Sequence, residues 1–364
     1  MVPVVKPYEP NRKKLFGYID SILDSGFYTN GGPLVQKLEE RLAEYLDVPH
    51  LLLVANGTLA LQISFKALAL EGEVVTTPYS FVATTSALVW DNLEPVYCDI
   101  GDSTFTLDST GLDKCITARS SAILGVHVYG IPCDMEALAD GAERHGLRLI
   151  YDGAHAFATK YNGRSILNCG DITTLSFHAT KLFHTVEGGA IVTGDRALYG
   201  RAKRMINFGI VAPDQIAEVG INAKMSEFHA AVGLCVLDDI DMIIDTRRHI
   251  SSIYDAELST DIRIGVGSDG IGPGFVSYYP VLFRDQAERD DVNTALRAQG
   301  FSARVYFSPS LDLLPYVQSP PMRHSQDISS RVLCLPFFTG LPHETVRQIC
   351  ATVNNVLSSG HGIY

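Results

Sequence analysis

Basic residues are scarce in this chain. Its 364 residues carry 29 Lys and Arg against 41 Asp and Glu, a net charge of −12. No block of positive charge stands out, so binding to nucleic acid or to an anionic membrane surface is not expected. An acidic chain can still hold an anionic ligand locally, at helix N-termini and backbone amides. No apolar run approaches the roughly 20 residues of a membrane span. Residues 1–15 lack both an apolar core and a small-residue cleavage site, so no secretory signal is expected. There is no C-x-x-C pair. The seven cysteines (Cys98, Cys115, Cys133, Cys169, Cys235, Cys334 and Cys350) are odd in number and widely spaced. That pattern implies free thiols in a reducing, cytoplasmic compartment. Internal repeats and low-complexity linkers are also missing. With 46% hydrophobic and 19% charged residues, the chain is neither disordered nor fibrous.

What is present is alternation. Leu34 to Tyr45 has apolar residues at helical spacing. Short apolar runs that read as strands follow: 51–55, 73–78, 95–100, 121–128, 147–152, 172–177 and 190–193. Helical stretches separate several of them: 59–70, 83–90, and one running from an N-cap at Asp134 to about His145, closed by Gly146. Fully apolar strands alternating with helices predict a mostly parallel sheet covered on both faces. Ligands then bind beyond the carboxyl ends of the strands. A long helix over 226–258 comes next. The remainder reads as a smaller α+β domain, with strands at 275–283 and 302–307 and helices at 289–299 and 343–357. The expected division is a large α/β domain over 1–240 and a smaller one over 241–364. The glycines of 265–274 sit in a loop and do not form a dinucleotide fingerprint, because no strand–turn–helix unit surrounds them.

The residues that follow the strands carry the chemistry. Lys181 closes Ser176-Phe177-His178-Ala179-Thr180-Lys181, just past a strand end, with Glu187-Gly188-Gly189 soon after. Alone it reads as a solvated surface lysine. At a ligand edge its amine could form Schiff bases once burial lowers its pKa. Asp152 ends an apolar strand and is followed by small residues. It is either an N-cap or a buried carboxylate needing a cation. A protonated pyridine nitrogen is such a cation, and a Lys–Asp pair of this kind serves pyridoxal phosphate. Asn56-Gly57-Thr58, between a strand and a helix, is either an ordinary turn or a phosphate cradle. Ser176 could add a hydroxyl. Phe81 is a core aromatic or a ring-stacking one. His127, His155, His178 and His184 fall in the same region, but H-x-x-x-H and H-E-x-x-H spacings are lacking, so no metal is expected.

In that order these residues make the chain resemble the DegT/DnrJ/EryC1/StrS family of pyridoxal-phosphate-dependent sugar aminotransferases, of aspartate-aminotransferase fold (fold type I). Seven segments carry the resemblance, from Tyr28 to Leu357. They are 29–33 (TNGGP), 56–61 (NGTLAL), 77–84 (TPYSFVAT), 127–132 (HVYGIP), 152–156 (DGAHA), 176–189 with its Ser-Phe-His-Ala-Thr-Lys and Glu-Gly-Gly, and 222–227 (NAKMSE). The resemblance implies a seven-stranded large domain and pyridoxal 5′-phosphate as cofactor, alternating with pyridoxamine phosphate. It implies Lys181 on the cofactor's aldehyde and shuttling protons, Asp152 on the pyridinium nitrogen and Phe81 against the ring. Gly57, Thr58 and Ser176 would hold the phosphate, and His155 would approach the ring hydroxyl. Asn222 would reach the phosphate in a neighbouring subunit, so a homodimer is implied. Arg304 and Tyr306 are candidates for the sugar nucleotide, or plain strand residues.

Two departures stand out. The family often has Gln at the place of His155, and a histidine titrates near neutrality. Lys224 stands where Arg is more usual. The implied reaction moves an amino group from L-glutamate to a nucleotide-linked keto-sugar. The wording of 73–84 and 176–181 is most like enzymes aminating dTDP-4-keto-6-deoxyglucose at C4. A C3-specific enzyme of the same family is the alternative. A non-catalytic regulator of the same fold is a further rival, as is a nicotinamide-dependent oxidoreductase, which would need a Gly-x-Gly-x-x-Gly after the first strand.

Overall fold

The computed structural model of the chain describes residues 1–101, 104–264 and 276–360. The glycine-rich segment 265–274 and the expected strand start at Phe275 lie outside them.

Helix α1 (Arg12–Ser25) opens the fold and was not foreseen. Its faces are poorly segregated: Phe16 and Leu23 are exposed, and only Ile22 is buried. Helix α2 (Pro33–Leu46) buries Val35, Leu38, Leu42 and Leu46, a stripe at helical spacing. Pro33 takes its first position, where a missing N–H costs nothing.

Strands and helices then alternate as the apolar runs imply. The order is β1 (His50–Val54), α3 (Gly57–Ala67), β2 (Glu73–Thr76), α4 (Val82–Trp90), β3 (Glu94–Tyr97), the one-turn α5 (Leu112–Cys115) and β4 (Ser120–Val126). Next come α6 (Met135–His145), β5 (Arg148–Asp152), a hairpin of β6 (Lys160–Tyr161) and β7 (Arg164–Ser165), β8 (Ile172–Ser176) and β9 (Gly189–Thr193). Helix α6 shows how local the signals are. Asp134 accepts the Ala137 amide at 3.1 Å, and Gly146 ends the helix with φ 66°.

Seven of these strands form one sheet in the order β1-β9-β8-β5-β4-β2-β3. The four pairings from β8 to β3 are parallel, and β9 runs antiparallel to both its neighbours. Residues such as Leu52 to Val54 and Ala122 to Leu124 are buried on both faces. This is the large, mostly parallel sheet expected of fold type I.

Helix α7 (Arg196–Met205) and a hairpin of β10 (Ile210–Ala212) and β11 (Gln215–Ile216) follow. The helix expected over 226–258 is two helices, α8 (Glu227–Asp238) and α9 (Ile240–Glu257). They part at Asp239, whose carboxylate accepts the Tyr8 hydroxyl at 3.0 Å. The C-terminal elements are β12 (Tyr279–Leu282), α10 (Gln286–Ala298), α11 (Arg323–Arg331), β13 (Val332–Leu335) and α12 (His343–Gly360). β12 and β13 pair antiparallel, and α9 and α10 pack on α12. Residues 302–307, expected as a strand, are not one. Only Arg304 bridges to Cys334. Beyond it the Tyr306 carbonyl accepts the Tyr129 hydroxyl, and Pro309 has no amide to offer a neighbouring strand. The apolar core of this C-terminal part includes Tyr79, Val126 and Tyr129, so it sits on the carboxyl edge of the large sheet.

Candidate active site

Above that edge lies a cavity of about 350 Å³. All the site residues singled out from sequence line it except Asn222. Each arrives from the end of an element. Gly57 and Thr58 are the first two residues of α3. Phe81 precedes α4, Asp152 ends β5, Ser176 ends β8, and Lys181 lies on the loop beyond it.

Asp152 is buried, and its two oxygens are separately engaged. One accepts the Ala154 amide at 3.0 Å and the other the Thr84 hydroxyl at 2.8 Å. Burial raises its pKa, while these two hydrogen bonds and the Lys181 charge pull it back. The Lys181 amine lies 5.8 Å from the centre of the Tyr278 ring. Burial lowers its pKa to about 8, partly opposed by Asp152. A lysine in this state is neutral often enough near pH 8 to act as a nucleophile and a base.

His155 is fixed from several sides. Its Nδ1 accepts the Tyr129 amide at 3.1 Å, which puts the proton of the neutral ring on Nε2. The ring lies parallel to Phe307 at 5.6 Å and edge-on to Tyr278 at 4.8 Å. Burial, with the Lys181 charge second, pushes its pKa well below the usual histidine range. The expectation that His155 titrates near neutrality is therefore corrected: it is a neutral donor, as Gln would be.

Of the other histidines, His127 and His178 also line the cavity, and His184 does not. His127 is fully buried and accepts the Cys133 amide, His184 donates to the Tyr8 carbonyl, and His178 lies exposed 3.7 Å from Glu187. Among the described residues no group of three His, Cys, Asp or Glu is placed to share a metal ion. All seven cysteines are free.

The phosphate cradle can be tested on the backbone. Asn56 caps α3 by accepting the Leu59 amide at 2.9 Å. The amides of Gly57 and Thr58, at the first two helical positions, have no acceptor within the helix. A Cβ at Gly57 would lie 2.9 Å from the Ser176 Cβ, so only glycine lets these segments approach. An anion site, a carboxylate and a partly neutral lysine in one cavity form the donor set that pyridoxal 5′-phosphate requires.

Arg304 and Tyr306 also line the cavity, with the guanidinium 4.8 Å above the tyrosine ring. Asn222 is exposed and outside it, bridged to Asn207. The neighbouring Lys224 donates to the Asn207 side chain at 2.9 Å and stacks 4.9 Å from Phe208, which shapes the turn carrying Asn222. Sequence reasoning missed Ser80, Thr84, Tyr129, Tyr278 and Phe307 as cavity or supporting residues. Ser80 and Thr84 are four apart at a helix start and so share a face, which was a usable signal. Tyr278 and Phe307 arrive from the C-terminal part and gave none.

Two segments of the resemblance meet away from the cavity. Glu227 is buried, and its carboxylate accepts the amides of Leu34 at 2.8 Å and Val35 at 2.9 Å. The Met-Ser-Glu motif thus caps the helix that the Asn-Gly-Gly-Pro motif begins.

Comparison with known proteins agrees with this geometry. Residues 10–354 match the DegT/DnrJ/EryC1/StrS aminotransferase family. A dTDP-4-amino-4,6-dideoxy-D-glucose transaminase of Shigella dysenteriae is 38% identical over 97% of this chain and 98% of its own length. A GDP-perosamine synthase of Escherichia coli O157:H7 is 31% identical over 98% of this chain and 99% of its own. The solved structure of DesI with its TDP-sugar product superposes with a TM-score of 0.91 at 37% identity, covering 98% of this chain and 92% of that one. The chain belongs to the DegT/DnrJ/EryC1/StrS aminotransferase family, and it is a pyridoxal-phosphate-dependent nucleotide-sugar aminotransferase.

Proposed function

We propose that this enzyme transfers the amino group of L-glutamate to C4 of dTDP-4-keto-6-deoxyglucose, or of a closely related 4-keto sugar. The observation that carries the chemistry is the meeting of Lys181, Asp152 and the Gly57–Thr58 amides in one cavity. The sugar is supported by the relatives, one named for dTDP-4-amino-4,6-dideoxy-D-glucose and another solved with a TDP-sugar product. The C3-specific alternative and the regulatory one are weaker, the latter because the Lys181–Asp152 pair is intact.

When bound, the cofactor supplies an electron sink for the bond-breaking at the donor's α-carbon. The chain's own residues do the rest. Lys181 would move the proton between the donor's α-carbon and the adjoining cofactor carbon, C4′, and would move it in reverse on the sugar. Asp152 keeps the ring nitrogen protonated. Gly57, Thr58 and Ser176 would hold the phosphate, Phe81 would serve the ring's face, and the Nε2–H of His155 would be available to the ring hydroxyl. Arg304 and Tyr306 receive the sugar nucleotide, the guanidinium suiting its diphosphate.

Asn222 serves the cofactor of a second copy, so the working unit is a homodimer with sites at the interface. Exposed Phe208, Ile210, Val211, Ile216, Val219 and Ile221 around it support that reading, since contiguous apolar surface of this kind marks an interface. The break at Asp239 lies beside the boundary of the proposed division into a large domain over 1–240 and a smaller one over 241–364, with the exception that Val2 and Val4 bond to Gly300, Ser302 and Phe337 and so join the smaller part. No helix among the described residues is long and apolar enough to cross a membrane. The cytoplasmic assignment rests on the free cysteines.

The test is to incubate the purified enzyme with cofactor, L-glutamate and dTDP-4-keto-6-deoxyglucose. A visible band that bleaches with glutamate, followed by a product with nitrogen at C4 by NMR, is expected. A protein that stays colourless would refute the cofactor assignment. Amination only of a 3-keto sugar would refute the C4 reading alone.

A further inference from the structure

Asp152 is a buried carboxylate that must stay charged and aimed into the cavity to hold a protonated ring nitrogen. Burial by itself opposes that charge. The surroundings of Asp152 include a device that offsets it. The Thr84 hydroxyl lies 2.8 Å from one carboxylate oxygen, and the Ser80 hydroxyl lies 2.7 Å from that of Thr84. All three residues are buried.

Proton counting fixes the direction. A carboxylate only accepts, and Thr84 has a single hydroxyl proton. Thr84 must therefore donate to Asp152, and Ser80 must donate to Thr84. A hydroxyl that itself accepts a bond is a stronger donor, so the two bonds reinforce each other. The second oxygen is held by the Ala154 amide, which fixes the plane of the carboxyl group.

The bland explanation for a Ser and a Thr at a helix start is capping. It does not apply here. Phe81, the N-cap of α4, makes no side-chain cap bond, and Ser80 points at Thr84 instead of at a helix amide. The Thr84 hydroxyl serves the carboxylate, and the Ser80 hydroxyl serves Thr84. Asp152 also faces the N-terminal end of α4, where the helix dipole favours negative charge.

We propose that Ser80 and Thr84 are positioning residues, a two-hydroxyl relay that keeps Asp152 charged and oriented for the ring nitrogen of the cofactor. The inference rests on the assignment of Asp152 to that nitrogen. It goes beyond it by naming what holds the carboxylate in its working state.

The test compares two ligands, pyridoxal 5′-phosphate and its 1-deaza analogue, which has carbon in place of the ring nitrogen. Dissociation constants are measured for the wild type and for Asp152→Asn, Thr84→Val, Thr84→Ser and Ser80→Ala, with thermal unfolding as a check on folding. The wild type should prefer pyridoxal phosphate, and Asp152→Asn should lose that preference. Thr84→Val should cut the preference about tenfold, the worth of one charge-assisted hydrogen bond. Thr84→Ser should restore it, and Ser80→Ala should cut it about threefold.

A Thr84→Val protein that keeps the full preference, or that weakens both ligands equally, overturns the relay. If that variant does not fold, Ser80→Ala decides alone, and an unchanged preference there overturns it as well. A wild type with no preference instead overturns the assignment of Asp152, and the relay falls with it.

Discussion

Replacing Lys181 by Met should make the apoprotein more stable at pH 7. The lysine is held in a site that suits the neutral amine. Bringing its pKa from 10.5 to about 8 corresponds to about 3 kcal/mol against the ammonium form. Below pH 8 both the folded and the unfolded chain carry the charge, and the folded state bears this whole cost. Between pH 8 and 10.5 the folded lysine is neutral while the unfolded one is still protonated. The unfolded state then binds more protons, and stability rises with pH. Above 10.5 neither is charged and the cost is gone. Methionine has nearly the same length and no charge, so Lys181→Met removes the cost at every pH. Part of the gain is given back because Asp152 loses its neighbouring cation, which leaves about 2 kcal/mol at neutral pH. Urea unfolding of both apoproteins at pH 7, 8, 9 and 10 measures this. The variant should lead at pH 7, and the gap should close as the pH rises. A variant no more stable than the wild type at pH 7, or a gap that does not shrink, would refute the reasoning. The expected result means that the fold tolerates a cost in stability to keep a nucleophile in place.

Three further outcomes are expected. Glu227→Ala should destabilise the protein by about 2–4 kcal/mol, since two amides at the start of α2 lose a buried carboxylate acceptor, and Glu227→Gln by about half as much; denaturant unfolding reads both. Gly57→Ala should weaken pyridoxal phosphate binding at least about tenfold in a cofactor titration, because the added Cβ would stand 2.9 Å from Ser176. His155→Gln should keep most of the activity, because the neutral histidine and Gln are both donors. The wild-type pH–rate profile should lack a histidine ionisation near 6.5; such an ionisation that disappears in the variant would contradict the neutral state of His155.

Local chemistry was enough for much of this protein. The apolar runs 51–55, 121–128 and 147–152 became strands because burial on both faces of a parallel sheet requires them. Asp134 and Gly146 bounded α6 because capping involves only neighbouring residues. The cavity residues after β1, β5 and β8 were legible because a sheet of this kind always collects its ligand at its carboxyl edge. Tertiary structure decided what sequence spacing does not encode. Glu227 caps a helix 193 residues away, through the Leu34 amide. The apparently continuous helix parts at Asp239, whose carboxylate accepts the Tyr8 hydroxyl from far along the chain. Of the strand expected at 302–307 only Arg304 pairs, with Cys334, and the Tyr306 carbonyl accepts the Tyr129 hydroxyl. The neutrality of His155, and the turn of Thr84 and Ser80 toward Asp152, depend on burial and on partners from other elements. In each case the deciding partner or burial comes from another element, and it exists only once the parts have packed.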